Sequence, residues 1–249
     1  MLKFLNKKIT QMKTKFIYFT FFLLAFSTYI NAQILDNRAG FAYAELISKT
    51  KAAKKSTTDN LRNVVGTPYA NDKFLPGKIL YKGEKANTNF LLRYNSNKNL
   101  IEVEVEGGGI DNVLMSEKIS CQIGNDIYEY TTYINAEENE EETGYIKTLH
   151  KSDNYILFSK QKKTFYQEKI SVDPLVPSYK AKYVASEKFY LLEKTNNTAY
   201  LLKKKRYFLD RVNSSITKKA MKKYIKKERI SFKKEEDLIR LIKHYNTIK

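Results

Sequence analysis

From Lys78 to Lys204 apolar residues recur at every second position, in short runs separated by turn residues. Ile101, Val103 and Val105 alternate with Glu102, Glu104 and Glu106, which predicts an antiparallel strand with one buried face. Phe90, Leu92 and Tyr94 alternate in the same way, and Asn95-Ser96-Asn97-Lys98-Asn99 supplies the turn between the two. Upstream, Pro76-Gly77 reads as a turn into a first strand, Lys78 to Lys82. Gly107-Gly108-Gly109 breaks the pattern. Further strands are predicted at Val113 to Ser116, Lys118 to Ile123, Asp126 to Ile134, Tyr145 to His150, Tyr155 to Lys160 and Lys163 to Ile170. Tyr155 to Phe158 is apolar on both faces and suits a central strand. Pro174 and Pro177 mark an extended crossing; Lys180 to Glu193 and Ala199 to Lys204 then resume, joined by a hairpin turn at Thr195-Asn196-Asn197-Thr198. About ten short strands at this spacing predict a mainly β fold, an antiparallel sandwich or barrel, over residues 66–204.

The period changes to helical after Lys204. Ile216, Ala220, Met221, Tyr224 and Ile225 fall on one half of a helix and Lys218, Lys219, Lys222, Lys223 and Lys226 on the other, with Ser214 or Ser215 as N-cap. After a break at Arg229-Ile230-Ser231, a second helix capped by Ser231 carries Leu238, Leu241, Ile242 and Tyr245 as its apolar stripe. Glu235, Glu236 and Asp237 near its start and Lys243, His244 and Lys249 near its end suit the helix dipole. Isolated helices of this length are marginal in water, so the pair, residues 205–249, is expected as a helical hairpin packed on the β domain.

Two further stretches precede the strands. Lys13 and Lys15 lead into an apolar run from Phe16 to Tyr29, and Ile30-Asn31-Ala32 offers a cleavage site, so residues 1–32 read as a signal peptide, with Met12 as an alternative start. The run is shorter than the ~20 residues of a spanning helix, and no second long apolar run follows. A protein exported to the periplasm or beyond, without a transmembrane anchor after processing, is the expectation. Residues 33–65 read as a poorly structured lead-in, with Ala42 to Ile47 beginning a short helix.

Charge sharpens this division. Of the net +18, Lys203 to Lys249 carries +12 and the leader +5, leaving a nearly neutral body. Lysine outnumbers arginine 38 to 7. Arginine is the side chain suited to bidentate phosphate or base recognition and lysine is a diffuse point charge, so nucleic acid is an unfavoured partner. An anionic lipid or lipopolysaccharide surface, or an acidic protein, fits better. The same lysine richness, with no Trp and abundant Ile, Asn and Tyr, is also what an AT-rich codon bias produces.

Candidate chemistry is sparse. Cys121, the only cysteine, shares a strand face with Ile119 and Ile123 and reads as an inert buried thiol. Glu137-Glu138-Asn139-Glu140-Glu141-Glu142 lacks the ligand spacing of a calcium loop and reads as a solvated hairpin loop; weak calcium binding and docking on the basic tail are the alternatives. The triple glycine lacks the Gly-Lys-Ser/Thr of a phosphate cradle. His150 and His244 fall in different elements, and a zinc site would need both plus carboxylates. Ser152-Asp153 beside His150 reads as a turn, and no Gly-x-Ser-x-Gly elbow occurs. The 19 Tyr and 14 Phe read first as filling for a small β core and second as lining for a carbohydrate or peptide groove. No catalytic residue, cofactor or metal site is assigned.

Gly66-Thr67-Pro68-Tyr69 with Pro76-Gly77, Leu91-Leu92-Arg93-Tyr94-Asn95, and the ending Phe232-Lys233-Lys234-Glu235-Glu236-Asp237-Leu238-Ile239 through Tyr245-Asn246 resemble a class of secreted proteins common in Bacteroidota. The resemblance implies export and architecture and transfers no active site. Together these readings describe an exported envelope binding or structural protein whose lysine face, Lys218, Lys219, Lys222, Lys223 and Lys226, meets anionic surfaces or an acidic partner. A hydrolase acting on an envelope polymer is the alternative.

Overall fold

The computed structural model describes residues 47–48, 64–85, 88–105, 107–135, 139–173 and 175–248. The leader, most of the 33–65 lead-in, and Glu137 and Glu138 of the acidic run lie outside the described residues. The described chain is mainly β. Its strands are β1 (Ile47–Ser48), β2 (Leu75–Tyr81), β3 (Glu84–Lys85), β4 (Phe90–Asn95), β5 (Leu100–Val105), β6 (Gly109–Val113), β7 (Ile119–Ile123), β8 (Asp126–Ile134), β9 (Glu141–Lys151), β10 (Tyr155–Tyr166), β11 (Lys182–Glu193) and β12 (Thr198–Leu201). Three helices follow: α1 (Lys205–Leu209), α2 (Ser215–Lys227) and α3 (Glu235–Thr247).

All strands belong to one mixed sheet in the order β1-β6-β5-β4-β2-β7-β8-β12-β11-β10-β9, with β3 paired to β2 and β8 also paired to β9. The first half is an open antiparallel run. In the second half β8 to β12 pair in a closed circuit, completed by two parallel register pairs, Thr198 with Thr132 and Ala199 with Tyr133. That parallel pairing departs from the all-antiparallel expectation, and the strand count gives the reason. A circuit of five strands in which neighbours otherwise alternate in direction must hold one parallel pair. Tyr133, Ile146, Phe158, Tyr190 and Ala199, one from each strand of the circuit, form its buried centre.

Several predicted elements are corrected. Pro76 and Gly77 lie inside β2 and not in a turn: a Cβ at Gly77 would collide with the Gln122 carbonyl oxygen of β7, so glycine serves close strand approach here. Val113 ends β6 rather than starting a strand, because β6 pairs back to β5 straight after the turn at Gly107 and Gly108, both at positive φ. The two strands predicted at Tyr155–Lys160 and Lys163–Ile170 are one, β10, held along its whole length by twelve register pairs with β11. Ile47 is in a strand paired with Val113 and not in a helix.

The motif segments 66–70 and 91–95 lie together. Tyr69 bridges Asn95, the Ala70 N–H donates to the Tyr94 carbonyl at 3.0 Å, and the Asn97 N–H donates to the Pro68 carbonyl at 3.1 Å. Over this strap the Arg93 guanidinium stacks on the Tyr69 ring, 3.4 Å from its centroid, and donates to Glu102 Oε2 at 2.6 Å. The second Glu102 oxygen accepts from Asn95 Nδ2 at 3.0 Å. Glu102 is therefore buried where strict alternation exposes it, because Arg93 and Asn95 satisfy its carboxylate. Arg93→Met leaves that carboxylate buried and unpaired, and is expected to destabilise the protein by about 3 kcal/mol. The further change Glu102→Gln should recover part of the loss. Denaturant unfolding of the single and double variants checks this; equal losses in both would show that the pair is not coupled.

The three helices cover the outer face of the circuit. Tyr155 and Leu157 of β10 and Phe189 and Leu191 of β11 pack into one core with Leu202, Phe208, Met221, Ile225, Leu238, Leu241, Ile242 and Tyr245. The whole predicted stripe of α3 is thus buried. On α2 only Met221 and Ile225 are buried, while Ile216, predicted for the apolar face, is 81 % exposed. It lies in the first turn of the helix, more than a turn before Met221, the first residue there that reaches the core. Ser214 caps α2 by accepting from the Thr217 N–H at 3.3 Å. Ser231 does not cap α3, which begins after Lys234; instead the Ser231 N–H donates to Asp237 Oδ2 at 2.9 Å and so fixes the entry to the helix.

Candidate functional site

The predicted anion-binding lysines all lie on α2, away from its buried residues. Lys219, Lys222, Lys223 and Lys226 are exposed. Lys218 is half-exposed and its ammonium sits 3.7 Å from Asp210 Oδ1, just past the end of α1. The helix presenting them is held in place by Met221 and Ile225 in the core and by the Tyr224 ring stacked on His244 of α3 at 3.8 Å. An Arg240–Glu228 ion pair at 3.8 Å spans the same junction. The lysine face is thus presented by a docked helix.

The remaining sequence candidates are dispersed. Cys121 is fully buried between Ile119 and Ile123, and burial pushes its thiol pKa upward, away from reactivity. His244 spends its ring face on Tyr224. His150 lies on β9, its pKa lowered by burial and then by the Lys243 ammonium. No group of three metal-ligating side chains occurs among the described residues. Of the acidic run, Glu142 accepts from Asn135 Nδ2 at 2.9 Å and Glu141 accepts from the Thr198 hydroxyl at 3.0 Å.

Two concavities were not anticipated. The larger, about 460 Å³, follows from the topology. One edge of β8 pairs with β7 through residues 126–129 and with β12 through residues 132–133, so the two partners diverge at Tyr130 and Thr131. The cleft opens at that gap, between Lys118 and Ser120 on one side and the Asn196-Asn197 turn on the other. Its acids are Glu117 and Glu129; the latter is engaged by Lys151 at 2.6 Å and by the Thr148 hydroxyl at 2.9 Å.

The smaller, about 80 Å³, reaches into the circuit beside Lys160. Lys160 follows Phe158 by two positions on β10 and therefore points to the same inner face. It is buried, and no acidic side chain among the described residues forms an ion pair with it. Its ammonium donates to the Tyr145 carbonyl at 2.8 Å and to the Tyr94 hydroxyl at 3.3 Å, and lies 5.1 Å from the Tyr133 ring centroid. Burial lowers its pKa to about 7, opposed by the Glu142 charge and reinforced by Lys162. Tyr133 lines the same cavity, and its buried hydroxyl has no hydrogen-bond partner among the described residues. Burial and then the neighbouring Glu142 carboxylate hold its pKa above the ordinary value. Sequence reading missed this group. The available signal was a lysine at an inward position of a strand whose neighbours are apolar on both faces.

Among the described residues, fold and site define a mainly β protein with C-terminal helices, an exposed lysine face and a buried lysine, Lys160. Compared with protein-family models, curated proteins and solved structures, the chain matches none.

Proposed function

We propose that the protein is an exported binding protein of the cell envelope that docks on anionic lipid surfaces through α2. The observation that carries this is the exposure of Lys219, Lys222, Lys223 and Lys226 on a helix whose opposite side is locked into the core. A docked helix presents these charges together, and their summed potential attracts a phosphate-bearing surface without selecting one ligand geometry. No helix among the described residues is long and apolar enough to cross a membrane, so contact by this route is peripheral. The basic leader and its cleavage site support export.

Binding to vesicles containing anionic phospholipid or lipopolysaccharide is expected at low salt. It should fall steeply as the screening length drops from ~10 Å at 0.1 M to ~3 Å at 1 M salt. Changing Lys219, Lys222, Lys223 and Lys226 together to Gln is expected to abolish vesicle binding with the thermal midpoint unchanged. Lys218→Gln alone, already paired with Asp210, should have the smallest effect. Vesicle binding that persists in the quadruple variant, or in high salt, would sink the proposal. A hydrolase acting on an envelope polymer is the second reading. It draws on the polar cleft at the β7–β12 divergence, where Glu117 is the acid that no protein partner engages among the described residues.

A further inference from the structure

The cavity beside Lys160 brings a buried ammonium and a buried phenol together. An ammonium carries three N–H donors, and two of those on Lys160 are taken by the Tyr145 carbonyl and the Tyr94 hydroxyl. The third meets no acceptor among the described residues. Tyr133 contributes a buried hydroxyl that makes no hydrogen bond of normal length, the Glu142 carboxylate being the acceptor near it. Buried polar groups are nearly always hydrogen-bonded, so two unmatched donors in one cavity are a sign of a missing partner. A partner that offers acceptors to both groups and tolerates a cation meets these needs.

We propose that this cavity binds the carboxylate end of a small organic acid, one oxygen receiving the Lys160 ammonium and the other the Tyr133 hydroxyl. At about 80 Å³ the space takes an end-group of a few heavy atoms, with the rest of the ligand leaving past Asn97 and Ser186. The charged groups facing it decide between anions. Lys162 of β10 and Lys188 of β11 favour negative charge, and Glu142 of β9 opposes it. One buried ammonium with a carboxylate in the wall suits a monoanion and disfavours a phosphate dianion. Tyr133 in the wall and Tyr94 against the ammonium both have raised pKa values and remain neutral. Because only the ammonium form attracts the ligand, affinity should fall about tenfold for each pH unit above Lys160's pKa of about 7.

The test uses the full chain with lysine labelled at Cε, titrated with sodium acetate while the pH response of the Lys160 resonance is followed by NMR. A four-heavy-atom probe is expected to bind on the order of millimolar. Acetate should shift the Lys160 signal saturably and raise its titration midpoint, whereas chloride at equal ionic strength should not. Lys160→Met should remove acetate binding. Tyr133→Phe, which keeps the ring and the fold, should weaken it about tenfold. Inorganic phosphate binding as tightly as acetate would overturn the carboxylate assignment. No saturable shift with acetate, or the same affinity in Tyr133→Phe, would overturn the site itself. The quadruple Gln variant of α2 should bind acetate normally, so loss of vesicle docking and loss of this site are read separately.

Discussion

The protein is expected to become more stable as the pH rises from about 7 to about 9, by on the order of 3 kcal/mol, as the depressed Lys160 pKa dictates. Its ammonium has a pKa of about 7 in the folded chain against 10.5 when exposed. Between those values the unfolded chain binds the extra proton, so raising the pH removes a cost of folding; below about 7 both states are protonated and the cost is fully present. The slope should reverse above the ordinary values of 9.0 for Cys121 and 10.0 for the buried tyrosines. Those groups have raised folded pKa values, so their stabilisation is lost as the unfolded chain ionises first. Chemical denaturation at a series of pH values gives the profile. Lys160→Met should flatten the rise while leaving the fall at high pH. A variant with an undiminished rise would show that the lysine is solvated in the folded state.

Removing residues 205–248 is expected to abolish the cooperative melt of the β body. The truncation uncovers Tyr155, Leu157, Phe189 and Leu191 on the outer face of the circuit. It also deletes Leu238, Leu241, Ile242 and Tyr245, each of which contributes about 1.5–3 kcal/mol by burial. Together these exceed much of the 5–15 kcal/mol net stability of a typical domain. A milder probe is Leu241→Ala, which should cost about 3 kcal/mol because the residue is completely buried and the cavity cannot drain to solvent. If the truncated chain melts like the full one, the helices add nothing to the β body.

Legibility followed periodicity. β4, β5, β7, β8 and β11 were readable because one face of each is apolar and turn residues bound them. The stripe of α3 was readable for the same reason. What could not be read depended on partners distant in sequence. The long β10 is continuous because β11 pairs with all of it, although Lys160 to Lys163 looks like a break. Pro76-Gly77 carries a turn signature, yet Gly77 is required by the backbone of β7, about forty-five residues on. Glu102 sits on a face that alternation calls exposed, and only its meeting with Arg93 makes burial tolerable. The lysine face of α2 was visible as a charge run at helical spacing. The Lys160 cavity was not, since its walls come from the β4–β5 turn, β8, β9, β10 and β11 and no local pattern joins them.

The parallel seam between β8 and β12 also bears on the order in which the molecule can assemble. It joins Thr132 and Tyr133 to Thr198 and Ala199, whereas every other pairing in the circuit links strands consecutive along the chain. As the chain emerges N-terminus first, the hairpins from β8 to β11 can form in turn, but the ring stays unlatched until β12 arrives. The helices that seal its outer face come later still. Until then the faces of β10 and β11 that bear Leu157 and Leu191 have nothing to cover them, and the nascent chain holds an apolar surface that invites chaperones. Two register pairs and one helical face therefore act as a late latch, converting a string of locally stable hairpins into a single cooperative body.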